Sequence, residues 1–451
     1  MRFSSLPFLF GFLPITLAIY FAVPLRWRNL ALLLASLVFY GWGEPVYISI
    51  MVLSILIDYT HGLLVEKYRS RDKLARWFVA ESVLLNLGLL GFFKYWDFFA
   101  ANLSLIPGVS IPTLGLPLPI GISFFTFQTM SYTIDVYRQD APAQRNMVSF
   151  GAYVTMFPQL VAGPIVRYKD VAAELIHRTN TASAFAAGAR RFTVGLAKKV
   201  LLANSIGALW DAELAAQSAG ILTAVGGWLG IAAFGFQIYF DFSGYCDMAT
   251  GVALMFNIQL PINFNSPYKS LNIREFWQRW HITLSRFLTT YIYFPLGGSR
   301  KGMARTCINL MIVFLVSGLW HGAGWLFLLW GLMHGAASVF YRLFRKQYDA
   351  LHPALQWLIN FGFIVVAWVF FRATSLTDAL AIVKSMFMMD FAPIRSAITS
   401  AFALPGGFHP GYNAVYMMVW YLASLFACLG MRNTYEKTMA FRPTVANSLS
   451  T

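Results

Sequence analysis

Eleven stretches of this chain are apolar enough to be read as membrane crossings: residues 7–23, 29–41, 46–65, 78–100, 118–137, 198–212, 221–245, 306–320, 324–341, 355–371 and 412–430. A helix needs about 20 such residues to cross the ~30 Å hydrocarbon core of a bilayer. The shorter stretches must therefore tilt, thin the bilayer locally or lie partly in a cavity. Composition agrees. Only 12% of the residues are charged, half of the ~25% usual in a soluble domain. Aromatic residues reach 17%, with 14 Trp and 21 Tyr, which suits a protein that must anchor at two water–lipid interfaces. The expected class is all-α, a polytopic membrane protein of about eleven transmembrane helices.

The net charge of +15 raises the question of nucleic acid, but its distribution answers for the membrane instead. With the connecting segments numbered alternately from an external N-terminus, one side comprises 24–28, 66–77, 138–197, 246–305, 342–354 and the C-terminal tail. With Lys198 and Lys199 this side holds 29 of the 34 Lys and Arg, while Arg2, Arg372, Lys384 and Arg395 lie opposite and Lys94 lies in a span. Basic residues collect in cytoplasmic loops. The reading is an external N-terminus, a cytoplasmic C-terminus, an odd number of crossings, and no nucleic-acid partner. The lipid bilayer is the partner that composition itself demands.

Cys246, Cys307 and Cys428 are widely spaced and odd in number, and offer neither a disulfide framework nor zinc spacing. The N-terminal run MRFSSLPFLFGFLPITLAIYFAVP has no convincing small-x-small cleavage site and reads as a retained first membrane helix. Residues 150–166 are apolar but broken by Pro158, Gly163 and Pro164. Such backbone is tolerated at membrane depth only inside protein or along a cavity, so the segment is expected to be re-entrant or buried. No internal repeat and no Ser/Gly linker divides the chain, so one domain, 1–451, is expected. The 372–411 stretch is expected to be external, with a short surface helix near 376–389.

Two segments carry polar chemistry inside apolar surroundings. In SLNIREFWQRWHITLSRFL, residues 270–288, Asn272 and Glu275 resemble a capping box opening a helix. On one continuous helix Trp277, His281, Ser285 and Leu288 share a face, which sets His281 on an aromatic-flanked side away from Arg279 and Arg286. In residues 307–340, otherwise apolar apart from Ser and Asn, stand His321 and His334. Gly318, Gly322 and Gly324 permit close backbone approach around His321. Ionisable residues within the membrane are costly and usually functional. His334 reads as a packing residue behind the site. No acid or cysteine lies in the same short motif, so no metal is expected. Neutral imidazole accepts a proton near pH 7, and no nucleophile elbow is present. Direct acyl transfer thus fits, with His321 as general base toward an acceptor hydroxyl and His281 either hydrogen-bonding the acyl carbonyl or orienting the acceptor. Lys269, Arg274, Arg279, Arg286, Arg300, Lys301 and Arg305 offer a basic setting for an anionic donor. Asp241 and Asp247 are expected to pair with arginines of the 270–305 region.

These segments together resemble the membrane-bound O-acyltransferase (MBOAT) family, most closely its bacterial alginate O-acetyltransferase (AlgI) branch. The matching stretches are LLLASLVFYGWGEP at 32–45, GISFFTFQTMSYTIDVYR at 121–138, FPQLVAGPIVRY at 157–168, FQIYFDFSGYCDMATG at 236–251, FNSPYKSLNIREFWQRWHITLSRFL at 264–288, YFPLGGSR at 293–300 and SGLWHGAGWLFLLWGLMHG at 317–335. The motif-bearing core is about 118–341, and 372–451 matches less distinctly, ending sooner after its last span than the family pattern. The family's two active-site positions fall on His281 and His321. The resemblance implies a ring of helices around a central tunnel and acetyl-CoA as a cytoplasmic donor substrate, with no permanently bound cofactor. It also implies a periplasmic acetyltransferase partner of the hydrolase-like class, a polysaccharide such as alginate as the final acceptor, and the bacterial inner membrane as location. A transporter or flippase, or a non-catalytic platform of a polysaccharide export complex, is the alternative. The histidine pair and the missing repeat favour the enzyme.

Overall fold

A computed structural model describes residues 1–161, 163–179, 181–218, 222–388 and 414–439, and these form helices and connecting coil with no strand. Among the described residues, six helices are long and apolar enough to cross a membrane: Ile48–Lys67, Asp72–Leu103, Ala182–Ser218, Gly302–His321, Trp325–Leu343 and Pro353–Arg372. Pro7–Ala22 and Tyr416–Leu429 are shorter apolar helices. Three further expected spans fall on helices as well. Residues 29–41 lie in Arg28–Gly43, 118–137 narrow to Ile122–Tyr137, and 221–245 run on to Met255 in a 32-residue helix from Ala224. The start of 118–137 was misplaced because Gly121, at φ +77, turns the chain into the helix only there. Residues 221, 412 and 413 lie outside the described residues, as do 389–411 and the tail from 440. The short helix expected near 376–389 appears as Leu376–Phe387, opened by Ser375, whose side chain accepts from the Asp378 N–H at 3.0 Å.

The contacts divide the chain into two compact units, residues 1–193 with 245–262, and residues 194–244 with 263–451. In the first, a buried carboxylate ties three helices together. Asp58 on Ile48–Lys67 accepts from Ser82 and from Asn86 (2.7 Å) on the following helix, and from Thr133 (3.1 Å) on Ile122–Tyr137. Hydrocarbon supplies no hydrogen bonds, so such a group must be satisfied by protein. Within the 150–166 segment, residues 150–160 and 163–166 are buried, as expected. Its helix Met147–Thr155 breaks at Met156, a short turn Phe157–Leu160 follows, and the Phe157 N–H is taken by the Ser36 hydroxyl at 3.1 Å.

The acids of the long Ala224–Met255 helix meet cations of the helix Ala182–Ser218. Asp247 meets Arg191 at 3.1 Å and Asp241 meets Lys199 at 2.7 Å. Both partners stand on Ala182–Ser218, which brings its own cations to these acids.

In the second unit, helices Gly302–His321 and Trp325–Leu343 form a tight hairpin. A Cβ on Gly318 would lie 2.2 Å from the Phe327 carbonyl oxygen, and one on Gly331 would lie 2.4 Å from that of Phe314. Lipid gives apolar helices no solvent-driven reason to associate, so close backbone approach through small residues supplies the packing. Tyr268 fixes the neighbouring elements: its hydroxyl donates to the Gly235 carbonyl at 2.6 Å and accepts from Trp368 Nε1 at 3.2 Å.

Candidate functional site

The expected continuous helix over 270–288 is two helices, Ile273–Arg279 and Ile282–Leu288. Its opening is as read: Asn272 Oδ1 accepts from the Glu275 N–H at 2.9 Å, although Glu275 returns to the Leu271 N–H rather than to Asn272. The break falls at the histidine. His281 has φ +44 and ψ +53, a left-handed conformation that an L-residue adopts only when its surroundings hold it there. The reason is a pairing with residues distant in sequence. The Asn265 N–H bonds to the Arg279 carbonyl at 2.9 Å, and the Ile282 N–H to the Asn263 carbonyl at 3.0 Å. The shared face proposed for Trp277, His281, Ser285 and Leu288 therefore does not exist.

Asn263 also determines which His281 nitrogen carries the proton. Its Oδ1 accepts from the Thr283 N–H at 3.1 Å and from the Thr283 hydroxyl at 2.9 Å. A backbone N–H only donates, so the atom facing it must be the amide oxygen. That same oxygen lies 3.1 Å from His281 Nδ1, so Nδ1 bears hydrogen and Nε2 carries the lone pair. His281 is 1% exposed, and its Nε2 is buried with no hydrogen-bond partner among the described residues. Burial, and secondarily a charge on His321, push its pKa well below the ordinary imidazole value, which keeps the ring neutral at pH 7.

His321 closes the helix Gly302–His321, and Gly322 leaves it in extended backbone. Its Nδ1 lies 2.7 Å from the Ser317 carbonyl oxygen. A carbonyl only accepts, so here too Nδ1–H donates and Nε2 bears the lone pair. The ring packs on Trp320, Trp330 and Phe371 at centroid distances of 4.9, 5.0 and 5.6 Å. His281 meets the same Trp320 indole at 6.0 Å and Phe242 at 4.9 Å. The structure thus brings the two expected histidines onto one tryptophan, each presenting Nε2 as a proton acceptor. Of the three glycines read around His321, Gly318 and Gly322 are in close contact, whereas Gly324 meets only the Phe327 ring at an ordinary 3.8 Å.

His334 differs from both. Its Nδ1 accepts from Trp277 Nε1 at 3.2 Å, and its ring packs on Trp330 and Trp277 at 4.7 and 5.1 Å. It is held among aromatic rings, and Trp330 stands in contact with both it and His321.

A cavity of about 390 Å³ runs past Trp277, Ser285 and Ser317, with Arg274, Arg342 and Arg345 in its wall. Of the seven basic residues singled out in the sequence, only Arg274 lines it. Arg279 is engaged by Glu275 at 2.8 Å, and Lys269 by the Met431 carbonyl at 2.7 Å. Arg342 and Arg345 were missed because they come at the end of the second span after the His281 segment, distant from it in sequence. Asn263 was missed for the same reason: it lies 18 residues before His281 in a coil with no periodicity to mark it. No group of three or more His, Cys, Asp or Glu able to hold a metal occurs among the described residues.

Comparison with known proteins places this geometry. The model of the membrane-bound O-acyltransferase family, MBOAT, matches residues 46–377. The chain is 41% identical to a peptidoglycan O-acetyltransferase of Helicobacter pylori, over 86% of this chain and 80% of that one. It is 42% identical to a probable alginate O-acetylase, AlgI, of Azotobacter vinelandii, over 86% and 78%. A teichoic acid D-alanyltransferase of Bacillus subtilis is 26% identical over 72% and 89%. Most of the chain, including both histidine segments, lies within the matched range. The chain belongs to the membrane-bound O-acyltransferase family and is a multi-pass membrane enzyme of acyl transfer to a hydroxyl.

Proposed function

We propose that this protein takes acetyl from acetyl-CoA at the cytoplasmic face and passes it across the bacterial inner membrane for O-acetylation of an extracytoplasmic polysaccharide such as alginate. The single observation that carries the reading is the pair of imidazoles on Trp320, each with Nε2 set as a proton acceptor. In this reading His321 is the general base. Its Nε2 takes the proton of an acceptor hydroxyl as that oxygen attacks the thioester carbonyl. The carbon–sulfur bond then breaks, and the departing thiolate receives the proton back from the imidazolium. A base so placed contributes roughly 10²–10⁴-fold. Of the two roles open to His281, the Nδ1–H tautomer supports orienting the acceptor: a lone pair on Nε2 accepts a hydrogen bond from a hydroxyl and offers none to a carbonyl.

The arginine-walled cavity supports the donor assignment. Arg274 and Arg342 line it beside Ser317, whose carbonyl holds His321, and guanidinium groups match the phosphates of coenzyme A. No resident cofactor or metal enters this scheme. The immediate acceptor is a periplasmic acetyltransferase of the hydrolase-like class, which forwards acetyl to the polymer. Acetylation of a polymer outside the cell is supported by the O-acetyltransferase names of the 41–42% identical relatives. About eleven crossings forming a ring around a tunnel, with the N-terminus periplasmic and the C-terminus cytoplasmic, complete the proposal, supported by the one-sided distribution of Lys and Arg.

The test is transfer of radiolabelled acetyl from acetyl-CoA in inverted membrane vesicles carrying the protein together with its partner. Label should reach the partner and depend on His321. A protein that merely moves polymer or lipid would leave the label on coenzyme A.

A further inference from the structure

Away from the histidines, two arginines of the first unit share one tyrosine. Arg28 opens the helix Arg28–Gly43, and Arg178 follows the helix Tyr168–Ile176. Their guanidinium carbons lie 5.0 and 5.8 Å from the centre of the Tyr20 ring. Tyr20 is itself fixed: its hydroxyl donates to the Phe256 carbonyl at 3.0 Å and accepts from Arg178 at 3.1 Å. Arg28 also stands 5.7 Å from the centre of Phe21, and Phe21 lines an adjoining cavity of about 310 Å³ with Thr181, Phe185 and Asn257.

Charge makes this arrangement informative. An ordinary basic belt extends its side chains into water. Here both arginines are half-buried, and the two positive charges oppose each other. Glu174 is the acid whose field reaches Arg178, yet neither arginine has an ion pair among the described residues. Arg28 Nε is buried without a hydrogen-bond partner. Two converging guanidiniums with unused donors match the oxygens of a phosphate group. The neighbouring cavity, walled by Phe21 and Phe185, has room for the uncharged part of a molecule that carries one.

We infer that Arg28, Arg178 and Tyr20 form a binding site for a phosphate anion at the membrane surface, occupied by the headgroup of an acidic phospholipid. On the orientation proposed above, that surface is the cytoplasmic one, where anionic lipids attract basic clusters. The test reads lipid retention rather than acyl transfer, so its failure and that of the catalytic reading are separable.

The full-length protein, purified in detergent, is exposed to equal amounts of phosphatidylglycerol and phosphatidylethanolamine, and bound lipid is counted by native mass spectrometry. Wild type should hold one phosphatidylglycerol preferentially, and the Arg28→Gln, Arg178→Gln double variant should retain about tenfold less, the loss of charge-assisted bonds. The Arg28 side chain makes no hydrogen bond among the described residues, so Arg28→Gln alone folds as wild type does and should still lower retention several-fold. Inorganic phosphate is added in a second arm. Retention unchanged in either variant, or equal for the two lipids, overturns the site. Displacement by inorganic phosphate at matched concentration overturns the lipid assignment in favour of a soluble phosphate compound.

Discussion

Asn263 governs the site through one oxygen atom. It holds the His281 proton on Nδ1 and also satisfies Thr283. Asn263→Ala should therefore release the imidazole to either tautomer and leave a buried N–H unpaired. Acyl transfer is expected to fall about 10–100-fold, with a stability loss of about 1–3 kcal/mol for the orphaned donor. Asn263→Asp retains the acceptor and should recover transfer but not stability, because it buries a carboxylate at a 3% exposed position; an acetyl-transfer assay paired with a thermal melt would read both. The histidines themselves were legible in the sequence, because an ionisable group in an apolar run stands out and the family pattern marks both. The tautomers were not, since they depend on a carbonyl one turn back for His321 and on an amide 18 residues away for His281.

Hydropathy located the helices well wherever one long apolar run forms one element, as in Gly302–His321 and Trp325–Leu343. It failed at 280–281. There the helical period continues unbroken in the sequence, but backbone pairing with Asn263 and Asn265 wins over local propensity and turns His281 left-handed. The hairpin made by Gly302–His321 and Trp325–Leu343 depends on Gly318 facing Phe327 and Gly331 facing Phe314. Gly318→Val places a branched side chain against backbone that has no room to move, so folded protein should be largely lost on size-exclusion chromatography. The acid pairs of the Ala224–Met255 helix rank by burial. The Arg191–Asp247 side chains are 9% and 8% exposed, and those of Lys199–Asp241 are 28% and 47%. Removing one partner of a buried pair costs about 3–5 kcal/mol, whereas an exposed pair contributes about 0–1 kcal/mol. Asp247→Asn should accordingly lower the melting temperature far more than Asp241→Asn.

At the scale of the whole molecule, the orientation proposed above puts the side rich in Lys and Arg in the cytoplasm. Ser70, in the basic segment 66–77 between the third and fourth expected crossings, and Ser110, in the uncharged segment after Leu103, are both exposed. Single cysteines placed at these two positions should react with a membrane-impermeant thiol reagent from opposite faces, Ser70→Cys only in inverted vesicles and Ser110→Cys only in intact spheroplasts. The fold class and family were readable because they rest on composition and ordered motifs spread along the chain. The contacts that make the site, among them Trp320 beneath both imidazoles and Arg342 in the cavity wall, join residues that no local pattern connects. The most direct measurement of the central claim is polymer acetylation by His321→Ala, with membrane abundance of the variant matched to wild type. The account expects acetylation to fall at least about 100-fold, the contribution of a lost general base; acetylation persisting at the wild-type level would contradict it.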